Sequence, residues 1–88
     1  MGEVMMIFKL MPTGVEVDLE KMKENVKKAL PAEVDLNSIE EKPIAFGLVA
    51  LEVQVILDDK SGGGDEVERI LSEVEDVNSV DLVDMGLL

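Results

Sequence analysis

From Glu3 to Met11 the chain alternates two apolar faces, Val4/Met6/Phe8/Leu10 and Met5/Ile7/Met11, interrupted by Lys9. A run of this length, closed by Pro12-Thr13-Gly14, predicts a central strand buried on much of both faces. The period then changes. Leu19, Met22, Val26 and Ala29 recur at helical spacing with Leu30 alongside, and Asp18 stands at the N-cap position. Glu20 near the start and Lys27-Lys28 near the end suit the helix dipole, and Pro31 stops the helix.

Ser38 to Gly47 is the least regular stretch. Ile39 and Glu41 can alternate in a strand, but Pro43 has no N–H for a ladder, so this is an edge strand or a strand that ends there. Leu48 to Asp58 is the clearest strand. Val49, Leu51, Val53, Val55 and Leu57 mark one face and Glu52, Gln54 and Asp58 the other, so the sheet is covered on one side only. The segment from Asp58 to Gly64 reads as a loop. Asp65 is placed to cap a second helix, with Glu68 answering in a capping box and Val67, Ile70, Leu71 and Val74 as the apolar stripe. Val77 to Met85 is a last strand. Val80 and Leu82 share one face and Val83 and Met85 the other, a mixed period that predicts a bulge or a two-sided environment.

The order β-α-β-β-α-β, with right-handed crossovers, gives an α+β ferredoxin-like sandwich. Its four-stranded antiparallel sheet has the order 4-1-3-2, with both helices on one face. Residues 1–88 have room for a single domain of this kind. In this topology the turn that holds Phe46 lies at the opposite end of the sheet from the C-terminus.

Composition then removes most chemistry. The chain has no histidine and no cysteine, which excludes disulfides, thiolate nucleophiles, the commonest general base and the commonest transition-metal ligand. Acylphosphatases share the fold but need a phosphate-binding arginine in a loop. Here the lone Arg69 falls within the second helix. Copper-chaperone domains need two cysteines, and RNA-recognition domains need strand aromatics, of which this chain has none beyond Phe8 and Phe46. Ser61-Gly62-Gly63-Gly64-Asp65 matches neither the P-loop nor the dinucleotide pattern, and Asp58, Asp59, Asp65 and Glu66 surround it with negative charge. As a calcium loop it lacks the closing bidentate glutamate. A flexible connector is the reading left. No catalytic, cofactor or metal residues are therefore expected.

The formal net charge of −12, from 20 acidic and 8 basic residues, repels phosphate backbones and anionic lipid. It suits a partner with a basic surface. Lys21, Lys23, Lys27 and Lys28 cluster on the first helix but are interleaved with Glu20 and Glu24, the pattern of a solvated face. The start lacks a signal peptide's basic n-region, and no apolar run approaches a membrane span. The expectation is a cytoplasmic protein that contacts neither membrane nor nucleic acid.

Phe46 stands apart. It lies in Pro43-Ile44-Ala45-Phe46-Gly47, a proline-to-glycine segment leading into the most regular strand. It either folds back to cap the core or projects as an anchor for a partner's pocket.

Lys42-Pro43-Ile44-Ala45-Phe46-Gly47-Leu48, followed by Ala50-Leu51, resembles the signature of the translation elongation factor 1-beta family. Asp65 through Glu75 and then Val77-Asn78-Ser79-Val80-Asp81 are similar to that family's closing helix and strand. Lys9-Leu10-Met11-Pro12 and Val17-Asp18-Leu19-Glu20 resemble archaeal members in particular, as does the length. The resemblance implies a guanine-nucleotide exchange factor, without covalent chemistry of its own. It would bind elongation factor 1-alpha, a GTPase, and promote GDP release and GTP loading. It also implies that Phe46 is the anchor. Lys42, Pro43, Ile44 and Gly47 then belong to the contact surface, and by analogy of position so do Met85, Leu87 and Leu88. Family members commonly carry a basic residue next to last, which disturbs the partner's magnesium. Leu87 stands there instead, so that step lacks its usual residue. The factor is expected to be a monomer when free. The alternative is a small-molecule-sensing regulatory module acting as a homodimer.

Overall fold

The computed structural model describes residues 2–31, 34–45, 47–58 and 64–87. Among these residues the elements are β1 (Glu3–Pro12), α1 (Leu19–Ala29), β2 (Asp35–Ala45), β3 (Leu48–Asp58), α2 (Gly64–Ser72) and β4 (Val77–Leu87). The strands form one antiparallel sheet in the order β2-β3-β1-β4, the expected 4-1-3-2 read from its other edge.

The pairing register decides which side chains share a face. Val4 lies opposite Leu57, Met6 opposite Val55, Phe8 opposite Val53 and Leu10 opposite Leu51. Directly opposed residues project to the same side. That side is closed by Met22 and Val26 of α1 and by Val67 and Leu71 of α2, in one cluster with Phe8, Leu10, Leu51, Val53, Val55 and Leu57. Both helices therefore cover the same face of the sheet. The second face of β1 departs from expectation. Met5, Ile7 and Met11 are only half-buried, because no described element lies over them. Neighbours within the sheet shield them instead, as where the Gln54 side-chain amide reaches the Met5 sulfur at 2.9 Å.

Local sequence sets the ends of α1. Asp18 has extended backbone, and its carboxylate accepts from the N–H groups of Glu20 (3.1 Å) and Lys21 (3.4 Å). Leu30, held extended ahead of Pro31, ends the helix. Ala29, expected on the buried stripe, is exposed; Leu30 packs against the core in its place. Asp18→Ala should lower the unfolding free energy by about 1 kcal/mol, read from urea denaturation, and Asp18→Asn should recover most of it.

β2 is longer than its pattern indicated. It begins at Asp35, not Ser38, and Leu36 and Ile39 pack against the core. It also runs through Pro43, which pairs with Val49, with register shifts between Leu36 and Ser38 and between Pro43 and Ala45. An edge position allows this, since a proline there need not donate to ladders on both sides.

The second helix already includes Gly64, so Asp65 is not its N-cap and the expected capping box does not form. Asp65 and Glu66 lie in the first turn, where their charge still meets the helix dipole. The rest of the expected connector, Asp59 to Gly63, lies outside the described residues. After α2 the chain turns through Asp76 (φ 71°), whose carbonyl accepts from the Thr13 N–H at 3.0 Å. Aspartate is among the residues that tolerate this left-handed conformation.

The irregular period of β4 has a definite cause. Phe8 lies opposite Leu82 while Ile7 lies opposite Asp84, so Val83 is an extra residue; Asn78 is another, between the partners of Met11 and Pro12. Each is a β-bulge. The strand also continues past Met85 to Leu87.

Candidate functional site

β2 and β3 are paired up to their adjoining ends, where Ala45 lies opposite Leu48. Gly47 has φ +79°, yet a Cβ added there would meet nothing within 4 Å. Glycine is required here by the backbone conformation and not by space. Lys42, Pro43, Ile44 and Gly47 are all exposed. Phe46, the expected anchor, lies outside the described residues.

Two ion pairs bear on this end of β2. Lys42 reaches Glu40 at 3.4 Å with both side chains exposed, a contact of little energetic weight. Lys23 is placed differently. It extends from α1 to Glu41 of β2 at 2.7 Å and also reaches Glu20 at 3.5 Å, joining the helix to the strand one residue before Lys42. The hydrogen bond that Lys23 donates to the Glu41 carboxylate, helped by the charges of Glu20 and Glu41, holds the Lys23 ammonium above its ordinary pKa of 10.5. A raised pKa means that the folded state favours the charged form. The stabilisation is therefore complete below the ordinary value and is lost as pH rises through the raised one. The stability difference between the native chain and Lys23→Met should stay constant across neutral pH and shrink above pH 10.5, measured by denaturation at stepped pH.

The other expected contact group is elsewhere. Met85 lies opposite Met6 and Leu87 opposite Val4, so both project from the helix side of β4. No described side chain covers them well: Met85 is 57% and Leu87 79% exposed. Leu88 lies outside the described residues. Leu87 is level with the start of β1, whereas Leu48 lies beyond the level of Leu10 at its far end. The two groups are thus separated by most of the strand length, roughly 30 Å at ~3.3 Å per residue. They form two poles, not one patch.

Exposed apolar residues that the sequence pattern did not single out accompany both. Val15, 64% exposed, sits in the loop after β1 on the side of the hairpin. An apolar residue between Gly14 and Glu16, with no strand or helix to bury it, was the available signal. Leu82 and Val83 are about half exposed on the outer strand β4; the bulge hid their setting from a period-two reading.

Across the uncovered face runs a row of charge. Glu40 lies opposite Glu52, Glu52 opposite Lys9 and Lys9 opposite Asp81, three carboxylates to one ammonium. Among the described residues no His, Cys, Asp or Glu group of three or more converges as a metal site. An open groove of about 520 Å³ between α1 and α2 is lined by Asn25, Lys28, Arg69 and Glu73 among others. Its arginine is already paired with Glu66 at 3.7 Å and Glu73 at 3.5 Å.

The fold is that of a ferredoxin-like α+β domain, with exposed apolar side chains toward both ends of the sheet and no described element over its second face. Its relatives give that class a family. Residues 5–88 match the model of the EF-1 guanine nucleotide exchange domain, and the chain belongs to that family. It is 45% identical over 84 residues to a protein of Methanobrevibacter smithii named elongation factor 1-beta, covering 96% of this chain and 94% of that one. Proteins of the same name from Methanothermobacter thermautotrophicus and Methanoculleus marisnigri are 41% and 44% identical over 88 residues, covering 99% and 100% of their own lengths. Two solved structures are similar in fold alone. The C-terminal domain of the MgtC protein from Mycobacterium tuberculosis superposes with a TM-score of 0.58 at 11% identity, over 99% of this chain and 87% of that one. The de novo designed protein Foldit4 also gives 0.58, at 22% identity, over 98% and 96%. Among the described residues no helix is long and apolar enough to cross a membrane.

Proposed function

We propose that this domain promotes GDP release and GTP loading on elongation factor 1-alpha, in the cytoplasm, as a monomer when free. The observation that carries the reading is the match to an exchange domain over nearly the whole chain. The exposed Lys42, Pro43, Ile44 and Gly47 support it, because they offer a contact surface where the resemblance locates one. The factor needs no reacting side chain. If it binds the nucleotide-free GTPase more tightly than the GDP-bound one, it must weaken GDP binding by the same factor, by thermodynamic linkage. What it does need is a scaffold stiff enough to impose a shape on the partner.

The two poles divide the work. Phe46, with Lys42, Pro43, Ile44 and Gly47 around it, supplies the anchoring contact. Met85, Leu87 and Leu88 touch the partner at the far end. Contact at points roughly 30 Å apart gives leverage over the orientation of what is bound, which a single patch would not. Leu87 offers an apolar group where a cation is usual in the family, so the loosening of magnesium follows from distortion of the partner and not from a competing charge.

The test is the release of fluorescent GDP from the cognate elongation factor 1-alpha, chased with unlabelled nucleotide. The release rate should rise with the concentration of this protein and saturate. An unchanged rate at saturating concentration would sink the proposal. Sizing chromatography should show one species near 9.6 kDa; a stable dimer would favour the regulatory-module alternative.

A further inference from the structure

The sheet has two outer edges, and they are treated differently. The β2 edge is guarded in the manner of natural edge strands: it carries Pro43 and Lys42 and the Lys23 ion pair that ties α1 to it, whereas register shifts occur in both outer strands. The β4 edge from Asp81 to Leu87 has no proline and no basic residue. It shows Leu82, Val83, Met85 and Leu87 as exposed apolar side chains, and β1 is its only described neighbour. The Val83 bulge bends this edge, which limits anything paired along it to a short segment.

Charge decides what such a segment would be. Asp81 and Asp84 are exposed and stand opposite Lys9 and Ile7, on the uncovered side of the sheet. The Asp84 carboxylate accepts from the N–H of Met85 at 2.9 Å. A carboxylate oxygen thus occupies a position that the carbonyl of an added strand could take. A second copy of this chain is a poor occupant. It would bring another net charge of −12 and set aspartates of one β4 beside those of the other.

We propose that the outer edge of β4, Asp81 to Leu87, accepts an extended lysine- or arginine-bearing segment of a basic protein as an added strand. Main-chain hydrogen bonds hold the segment to the edge, and its apolar side chains lie on Leu82, Met85 and Leu87. Its cations pair with Asp81 and Asp84, the latter freed from Met85 as an incoming carbonyl replaces it. Met85 and Leu87 are shared with the far-end contact of the proposed exchange function, but binding of a free strand is read without the GTPase, so its failure and that of the exchange reading are distinguishable.

The probe is the peptide acetyl-Lys-Val-Lys-Val-Lys-Val-Lys-amide, titrated into the nitrogen-15-labelled protein and followed by amide shifts and hydrogen exchange. Saturable shifts confined to Val80–Leu87, with slowed exchange of β4 amides, are expected. The same peptide N-methylated at alternate residues should bind at least tenfold more weakly, having lost its strand-pairing groups. Asp81→Lys with Asp84→Lys should weaken the unmodified peptide about tenfold, two exposed attractions having become repulsions. Equal binding of the N-methylated peptide would overturn the proposal, since attraction by charge alone would then suffice. Shifts centred on β2 or on the uncovered face would overturn it too, as would self-association through β4. Should the double variant fail to fold, the N-methylated peptide still decides.

Discussion

Phe8→Ala is expected to lower the unfolding free energy by roughly 3–5 kcal/mol. A domain of this length has a stability of only about 4–13 kcal/mol, so the loss is a large fraction of the whole. The melting temperature should fall by roughly 15–30 °C, measured by differential scanning calorimetry. The size of the effect follows from position. Phe8 is 1% exposed, lies between Val53 on β3 and Leu82 on β4, and belongs to the cluster closed by both helices. Many of its neighbours are valines, whose stiff χ1 angles limit how far they can move into the space left behind. Phe8→Leu, which keeps most of the volume, should cost under about 1.5 kcal/mol. If Phe8→Ala cost less than about 1 kcal/mol, the core would be far more compliant than its packing indicates.

Phe46→Ala should have the opposite signature. As a hydrophobic anchor it should contribute about 2–4 kcal/mol to association, so the second-order efficiency of GDP release should drop by roughly 30-fold or more. The denaturation midpoint should hardly move. The two phenylalanines are the chain's whole stock of aromatic residues, and the two readings of Phe46 predict different losses. A residue folded back on the core would cost stability when truncated and leave exchange intact in whatever protein remains folded. Measuring both quantities on one variant separates anchor from cap.

Much of the fold was legible because its signals are local. In Leu48 to Asp58 the odd-numbered residues from Leu51 to Leu57 are buried as the pattern requires, although Ala50 on the other face is buried too. Asp18 and Pro31 mark the limits of α1 because a cap and a proline act on adjacent backbone. What local patterns misjudged depends on neighbours in space. β2 begins at Asp35 and not at Ser38, because a register shift between Leu36 and Ser38 breaks the alternation that would have marked its start. Asp65 has the side chain of a cap, yet Gly64 already belongs to the helix. Met5, Ile7 and Met11 are as apolar as a two-sided core strand demands, while no third layer exists among the described residues to bury them. The candidate site was legible in another way. Lys42 to Gly47 was found by its resemblance to a family signature; of these residues Lys42, Pro43, Ile44 and Gly47 are exposed. Leu82 and Val83 carry no signature, so only the fold reveals that they are exposed.

The Val83 bulge has a consequence for the far end of the molecule. Side chains in a strand alternate strictly, so one unpaired residue exchanges the two faces for everything that follows it. Counting onward from Leu82 without interruption would send Met85 and Leu87 to the side of Ile7. With the extra residue they stand with Val4 and Met6 instead. The bulge is in effect a parity switch. Which side of the sheet offers its last apolar residues to a partner is set by one step out of phase, some distance upstream of the residues that profit from it.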